Sequence, residues 1–309
     1  MSALRSIEGV VSGSISATTP IVLAALGGMY TYYAGIFNIA MEGMMLSGAF
    51  GAVAGSYFGH SWVFGVAGGI GAALVVAVLY IGFVVLLRTD EFVTGIALNL
   101  GAVGATTFLL RRVFDVAGAV SSSPETYFEG VPKVDVGFVR SVPVLRAVVS
   151  GHTLIDWLAV AAVALSAYIV MRTRFGLRLR SAGYNVASLE ASGVSPNRVR
   201  ITAVVLCGVL CGLAGAFLSI GYLQVFGENM SNGRGWIALA AIVLVRGRPA
   251  AVAVICLLFG FASSLGLKAQ TLHVPPQFTE MLPYLATLGA LFVYSQHQRP
   301  AEKRRLVAG

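Results

Sequence analysis

Charged residues are scarce in this sequence. Only 11% of its 309 residues are Asp, Glu, Lys or Arg, whereas a typical water-soluble domain carries roughly 25%. Hydrophobic residues make up 57%, and apolar runs of the length that a helix needs to cross a bilayer recur along the chain. The composition therefore excludes a soluble fold and predicts an integral membrane protein, which we treat as a single transmembrane domain over residues 1–309.

The sequence also lacks the motifs of enzymes and metalloproteins. None of its three lysines follows a glycine-rich phosphate-binding loop, and no His-Glu-x-x-His motif or Gly-x-Ser-x-Gly elbow occurs. The three cysteines, Cys207, Cys211 and Cys256, lie in apolar runs, where a thiol acts as a small hydrophobe. We therefore expect no catalytic residue, no metal site and no cofactor bound by this chain, which is not an enzyme under this interpretation.

Apolar runs between the charges define the predicted fold. The chain is interpreted as an all-α, polytopic membrane helical bundle of about nine hydrophobic segments: Ser14–Tyr33, Ile36–Phe58, Trp62–Leu87, Phe92–Leu110, Thr153–Met171, Val199–Tyr222, Trp236–Val245, Ala250–Leu267 and Phe278–Tyr294. The segment Trp236–Val245 is too short to cross a bilayer unaided. It is predicted to be a half-helix or to begin earlier, near Ser231.

Basic residues are concentrated in three loops. Six arginines and the single acid Glu190 lie between Met171 and Ile201, two arginines follow the seventh segment, and the tail 296–309 is basic. Because loops rich in Arg and Lys remain in the cytoplasm, all three, including the C-terminus, are predicted to be cytoplasmic. The formal charge of +8 then reflects topology in a multi-pass protein surrounded by membrane lipid, and nucleic acid is not an expected partner.

The segment 111–152 has nearly balanced charges and is predicted to be external, where a soluble partner could dock. Counting backward from it places the N-terminus outside as well. The gap between the first two segments, Tyr30–Gly35, is uncharged and too short for a secure aqueous loop. A broken helix at this point is therefore an alternative, because non-helical backbone is tolerated in a membrane where protein or a water-filled path surrounds it.

Three polar residues stand inside apolar runs. Glu42 and Asn38 share one face of the second segment, and Asn99 lies in the middle of the fourth. Polar groups in hydrocarbon are costly and are usually paired or exposed to a polar cavity. Glu42 could form a structural hydrogen bond to a neighbouring segment, line a transport path or relay protons, and Asn99 could serve packing or the path. All three residues are predicted to shape or line a translocation pathway.

Small residues recur at every fourth position of the second segment: Gly43, Ser47, Gly51, Gly55 and Gly59. A second patch in the sixth segment contains Gly208, Gly212 and Gly215. Such stripes allow two helices to approach closely. The prediction is close packing in a bundle, with a sliding surface used in gating as the alternative.

Four stretches of the sequence resemble one known family. GIFNIAMEGMM resembles the "GVxNIGxEGMM" signature of permeases in the simple-sugar and nucleoside branch of bacterial ABC importers, and the others resemble that family's coupling region, its "SGxLAGLAG" span and its "GRGFIALA" stretch. They occupy Gly35–Met45, Arg172–Arg200, Gly208–Gly215 and Gly233–Ala240. The short N-terminus looks more like the second, shorter permease of nucleoside importers.

This resemblance implies a larger assembly in the bacterial cytoplasmic membrane. A separate ATPase with two nucleotide-binding domains would hold ATP and Mg, a second permease chain would complete a heterodimer or homodimer, and an external solute-binding protein would deliver the solute. The cytoplasmic loop 172–198 would contain a coupling helix that touches the ATPase through Tyr184, Asn185, Glu190, Ala191, Ser192 and Gly193. The chain departs from the family pattern where Ser188-Leu189-Glu190-Ala191 replaces a stretch with two alanines.

The sequence thus predicts the permease subunit of an ABC importer that moves a nucleoside or a related simple sugar. Two alternatives are a branched-chain amino acid permease of the same superfamily and a stand-alone secondary transporter that uses Glu42 as an ion site. The Glu42-Gly43 dipeptide after Asn38 favours the nucleoside and sugar branch over the first. Transport by the chain alone would favour the second.

Overall fold

The computed structural model describes residues 2–124, 126–134 and 150–270, together with positions 281, 285 and 289. Its helices are α1 Ser2–Tyr33, α2 Met41–Gly59, α3 Trp62–Tyr80, α4 Glu91–Phe114, α5 Leu154–Arg172, α6 Arg174–Tyr184, α7 Val186–Ala191, α8 Pro196–Ala216, α9 Arg234–Leu244 and α10 Pro249–Gln270. Two π-helical segments, Ile81–Leu86 and Phe217–Leu223, extend α3 and α8. Four short strands are β1 Ala119–Ser121, β2 Lys133–Val134, β3 His152–Thr153 and β4 Val225–Gly227.

Within the described residues, six helices are long and apolar enough to cross a membrane, which confirms an all-α, multi-pass membrane protein. They are α1, α3, α4, α5, α8 and α10. The other two apolar helices differ in kind. Protein surrounds most of α2, and α9 has only 11 residues, fewer than a bilayer requires. The predicted ninth segment, Phe278–Tyr294, lies outside the described residues except for positions 281, 285 and 289, so the count of nine remains a prediction.

Helix α2 lies at the centre of the bundle because its glycines allow neighbours to approach its backbone. A Cβ atom on Gly51 would lie 2.5 Å from the carbonyl oxygen of Gly68 in α3, and one on Gly55 would lie 2.5 Å from that of Phe64. On another face, a Cβ on Gly215 of α8 would overlap the backbone of Met45. Both stripes seen in the sequence therefore lie at helix contacts, as van der Waals packing between membrane helices requires.

The two ends of the bundle are distinct. At one end, which we call the outer end, β1 pairs with β4 and β2 pairs with β3, both antiparallel. There the Glu129 carboxylate accepts a hydrogen bond from the backbone N–H of Trp62, at the α2–α3 turn. At the opposite, inner end, the short helices α6 and α7 join α5 to α8. Gly35, just after α1, lies against Gly183 of α6, so that a Cβ on Gly35 would be 3.1 Å from the Gly183 Cα.

Replacing Gly215 by alanine tests the close approach of α8 to α2. The added methyl group would overlap the backbone atoms of Met45 and Ala49, and overpacking of this kind costs about 1–3 kcal/mol. We expect Gly215→Ala to lower the thermal unfolding midpoint of the detergent-solubilised protein. Gly101→Ala in α4, where a Cβ meets no atom within 4 Å, is the control and should not lower it. Equal midpoints for both variants would contradict the packing.

Candidate functional site

The backbone between α1 and α2 is non-helical over residues 34–40 but largely buried. It corresponds to the broken helix predicted from the sequence as an alternative for the uncharged gap Tyr30–Gly35. Its polar groups are bonded within the protein: the N–H of Phe37 donates to the Glu91 carboxylate, and the Phe37 carbonyl accepts from the Tyr80 hydroxyl at 3.4 Å. Buried non-helical backbone is tolerated when its donors and acceptors are satisfied in this way.

Asn99 joins α4 to the last part of this break and to the first turn of α2. Its side-chain oxygen accepts the N–H of Gly43 at 2.8 Å, and its amide nitrogen donates to the carbonyl of Ile39 at 3.0 Å. The N–H of Gly43 is one of the first four donors of α2, which have no partner within their own helix. Asn99 therefore caps α2 from a different helix. Glycine at position 43 leaves room for this contact, since a Cβ there would lie only 3.0 Å from the Asn99 oxygen.

Asn38 shapes the turn itself. Its side-chain oxygen accepts the N–H of Ala40 at 3.0 Å, an Asx-type contact that fixes the chain just before α2. Its amide nitrogen lies 3.3 Å from the Cys207 sulfur in α8, and the residue is only 1% exposed. Asn38 is thus enclosed by protein on all sides within the described part of the chain.

Glu42 binds the start of α9. One carboxylate oxygen accepts the N–H of Gly233 at 2.9 Å, and the other accepts the N–H of Gly235 at 2.6 Å. These N–H groups carry the partial positive charge of the helix N-terminus, which a carboxylate stabilises. A Cβ on Gly235 would lie 2.7 Å from the carboxylate, so this close contact needs a glycine. The short segment predicted near Trp236 is therefore a helix whose buried end begins on a carboxylate.

The three polar residues predicted for the pathway are thereby brought into one junction. Asn99 bonds to the first turn of α2, Glu42 extends from that turn to α9, and Asn38 lies just before the turn. All three are buried, at 1% to 8% exposure. The junction fixes α2, α4 and α9 relative to one another.

A cavity among the described residues lies beside this junction, between α1, α8, α9 and α10. Its volume is about 190 Å³, and its lining mixes apolar and polar residues: Ser16, Ala17, Pro20, Ile21, Leu218, Tyr222, Asn232, Arg234, Ile237, Ser263, Gly266, Leu267 and Gln270. Pockets with a few placed polar groups in an apolar wall are typical of small-molecule sites. Asn38, Glu42 and Asn99 do not belong to this lining.

Irregular helix geometry shapes two walls of the cavity. Leu218 and Tyr222 come from the π-helical end of α8, and single-turn π segments are frequent at functional sites. In α1, Pro20 has no N–H, so the carbonyl of Ser16 loses its usual helical donor. Both walls therefore depart from regular hydrogen bonding next to the same empty space.

The segment predicted for coupling forms the two short helices α6 and α7 at the inner end. Asn185 caps α7 by accepting the N–H of Ser188 at 3.0 Å, and Gly193 ends it with a positive φ of 77°. Leu189 is buried at 4% exposure and anchors α7 to the bundle, whereas Tyr184 is 83% exposed. The six predicted coupling residues are all exposed: Tyr184, Asn185, Glu190, Ala191, Ser192 and Gly193.

Sequence reasoning did not identify the cavity residues as a set, nor a buried acid at the outer end. Asp156 accepts hydrogen bonds from the Thr19 hydroxyl and from both the N–H and hydroxyl of Thr153, which joins α5 to α1. The Thr-x-x-Asp spacing at a helix start is a capping-box signal that could have predicted the bonds within α5. Nothing in the pattern indicates the partner in α1.

Comparisons with known proteins give a consistent picture. The sequence model of the family described as "Branched-chain amino acid transport system / permease component" matches residues 10–291. The chain is 28% identical to the guanosine ABC transporter permease protein NupQ of Bacillus subtilis, covering 94% of this chain and 93% of the relative. It is 30% identical to the nucleoside ABC transporter permease protein NupC of Lactococcus lactis (95% and 94%) and 29% identical to the putative glucose ABC transporter permease protein TsgC13 of Haloferax volcanii (92% and 90%). No solved structure matches significantly.

Removing the Glu42 carboxylate tests the capping of α9. In Glu42→Ala, the N–H groups of Gly233 and Gly235 lose their acceptors, and each buried donor left unsatisfied costs about 1–3 kcal/mol. We expect a clear fall in the thermal unfolding midpoint, partly restored in Glu42→Gln, which keeps one acceptor oxygen. The exposed carboxylate of Asp115 supplies the control, because Asp115→Asn removes a charge without a buried partner. A fall no larger than that of the control would count against the cap.

Proposed function

The chain belongs to this permease family, and we propose that it is the membrane-spanning subunit of an ABC importer for a nucleoside or a related simple sugar. The observation that carries this proposal is the near full-length similarity to importer permeases together with a multi-pass bundle that encloses a mixed polar and apolar cavity. The chain contributes a path and its motion. The energy comes from another subunit.

Nucleoside or sugar transport is favoured over amino acid transport. The family's general description names branched-chain amino acids, but relatives that match along nearly the whole chain are named for guanosine, nucleosides and glucose. Nucleosides and sugars share neutral hydroxylated rings. The proposed solute is accordingly a compound of this class.

The partners of the assembly follow from what the chain does not supply. Its sequence has no phosphate-binding loop, so ATP and Mg belong to a separate ATPase with two nucleotide-binding domains. A second permease chain, identical or paralogous, completes the path, and an external solute-binding protein delivers the solute at the outer end, where strands β1 and β2 follow α4. The predicted nine segments and the cytoplasmic tail 296–309 complete this topology.

Helices α6 and α7 are proposed to be the contact with the ATPase. The loop 172–198 that contains them is rich in arginine, which favours the cytoplasmic side. Its exposed residues include Tyr184 and Glu190, while Leu189 holds α7 against the bundle. Gly35 lies against Gly183, so a displacement of α6 would push directly on the break between α1 and α2.

A stand-alone transporter that uses Glu42 as an ion site is less consistent with the geometry. Both carboxylate oxygens of Glu42 are already engaged by the backbone of Gly233 and Gly235. A site that takes up and releases a cation needs a carboxylate that can exchange partners. Binding two N–H groups at a helix start favours a fixed structural role.

Replacing Tyr184 by alanine tests the coupling surface. Tyr184 is 83% exposed, so its loss leaves the permease folded but removes an aromatic anchor of the kind worth about 2 kcal/mol in an interface. We expect the affinity of the permease for the ATPase to fall roughly 30-fold, so that less ATPase copurifies. Uptake by the complete transporter in proteoliposomes should fall as well. Tyr168→Ala provides a matched control, since Tyr168 is 62% exposed on the membrane-spanning helix α5.

Two outcomes would overturn the proposal. The first is accumulation of solute by proteoliposomes that contain this chain without an ATPase. The second is a Tyr184→Ala transporter whose uptake and ATPase copurification equal those of the wild type and of Tyr168→Ala. Uptake that depends on ATP in the wild type and weakens only in Tyr184→Ala supports it.

A further inference from the structure

We propose that the cavity between α1, α8, α9 and α10 is a solute-binding site for a neutral, hydroxylated ring compound with one flat face, and that a nucleoside fits it best. This inference rests on the proposed function and assigns residues to it. Tyr222 would stack on the base, and Ser16, Asn232 and Ser263 would bond the hydroxyl groups.

The charge around the cavity favours a neutral solute. Arg234 is the sole charged residue of the lining, and its guanidinium donates to the carbonyls of Met230 and Ser231 at 3.0 Å and 3.2 Å. The positive start of α9, which could otherwise attract an anion, is occupied by the Glu42 carboxylate. The carbonyls leave the charge of Arg234 in place, but the Glu42 carboxylate, bound to the residues on either side of Arg234, supplies one opposite charge. A phosphorylated solute therefore gains little over a neutral one.

The hydrogen-bonding groups suit hydroxyl groups. The hydroxyls of Ser16 and Ser263 and the amide of Asn232 line the cavity, and they form no hydrogen bond to another residue in the described ranges. The Ser16 carbonyl, which lacks the donor that Pro20 cannot supply, adds an acceptor. Together they offer both donors and acceptors, and a hydroxyl group of the solute can accept from the donors or donate to the acceptors.

An aromatic ring provides the flat face. Tyr222 lies in the π-helical end of α8, and the ring of Phe217 stacks against it with centroids 6.0 Å apart and an interplanar angle of 14°. Phe217 is fully buried, whereas Tyr222 is 38% exposed. The buried ring thus holds Tyr222 in orientation. Aromatic side chains bind bases by their faces with little dependence on base identity, so this wall favours a nucleoside over a sugar that lacks a base.

The size of the cavity limits the solute to a single small molecule. Its volume of about 190 Å³ is below the roughly 300–1,000 Å³ of common drug-sized pockets. Oligosaccharides would not fit. The walls also include α1, which ends at the break next to α6, so motion at the inner end would change the shape of the cavity.

The test compares uptake of a radiolabelled nucleoside and of a labelled pentose by the complete transporter in proteoliposomes. Tyr222→Ala should raise the KM for the nucleoside at least about fivefold, since stacking on one ring is worth about 1–3 kcal/mol. Tyr222→Phe keeps the ring and should retain most nucleoside uptake. Ser263→Leu should fill the cavity and reduce uptake of either solute.

Two controls separate the site from general damage. Ala262→Leu adds the same side chain to the neighbouring position of α10, outside the lining, and Tyr168→Ala removes a tyrosine from α5. Both should transport like the wild type. Thermal unfolding midpoints of all variants identify any that fail to fold, and Tyr222→Phe serves as the folded variant for that position.

Each outcome has a distinct meaning. If the wild type shows no ATP-dependent uptake, the proposed function fails and the site fails with it. If the wild type imports the nucleoside but Tyr222→Ala and Ser263→Leu import it with unchanged KM and rate, the site is overturned while the proposed function stands. If only the pentose is imported and Tyr222→Ala leaves its KM unchanged, the assignment of Tyr222 to a base is overturned.

Discussion

The structure depends on one constraint, which is that every polar group of the backbone placed inside the bundle must find a partner there. A continuous helix meets this requirement by itself, but this chain interrupts its helices at residues 34–40 and again before α9. Asn99 satisfies one group within the first interruption and one in the first turn of α2, and Glu42 satisfies the N–H groups at the second interruption. Non-helical backbone at membrane depth exists on this condition alone.

The same constraint explains the glycines around these side chains. A carboxylate or amide can reach a backbone N–H only if no side chain stands between them, and both Gly43 and Gly235 meet this need. Glycine likewise lets α2 approach α3 and α8 closely. The junction of α2, α4 and α9 is therefore stiff because it is tightly packed and fully bonded. The wall made by α1 and the end of α8 contains a proline and a π segment, and it is the more adaptable side of the cavity.

Sequence reasoning predicted the parts of this structure that a single helix determines. Long apolar runs located five of the six described spans to within a few residues, whereas α1 begins at Ser2 rather than at the predicted Ser14. Small residues at every fourth position indicated helix contacts, and a short apolar run indicated a half-helix. Isolated polar residues in apolar runs identified Asn38, Glu42 and Asn99, because hydrocarbon penalises them wherever they lie. Their partners were beyond reach, since Glu42 bonds to residues about 190 positions away. The cavity was missed for the same reason, as its lining comes from four helices and a π segment leaves no periodic signal.

The position of the breaks also bears on how the proposed motor could move the path. A straight helix transmits a push along its axis, but its hydrogen bonds resist bending, whereas the bonds at residues 34–40 run largely to side chains such as Asn99 and Glu91. Side chains can follow a shift that the regular hydrogen bonds of a helix would oppose.

Gly183 of α6 touches this stretch at Gly35 with no side chain between the two backbones. A displacement at the inner end therefore reaches α1 before it reaches the stiff junction around α2, and α1 is the helix that carries Ser16 and Pro20 into the cavity wall. Under the proposed function, the ATPase would act on the shape of the solute site through α1, while Glu42 and Asn99 hold the opposite wall in place.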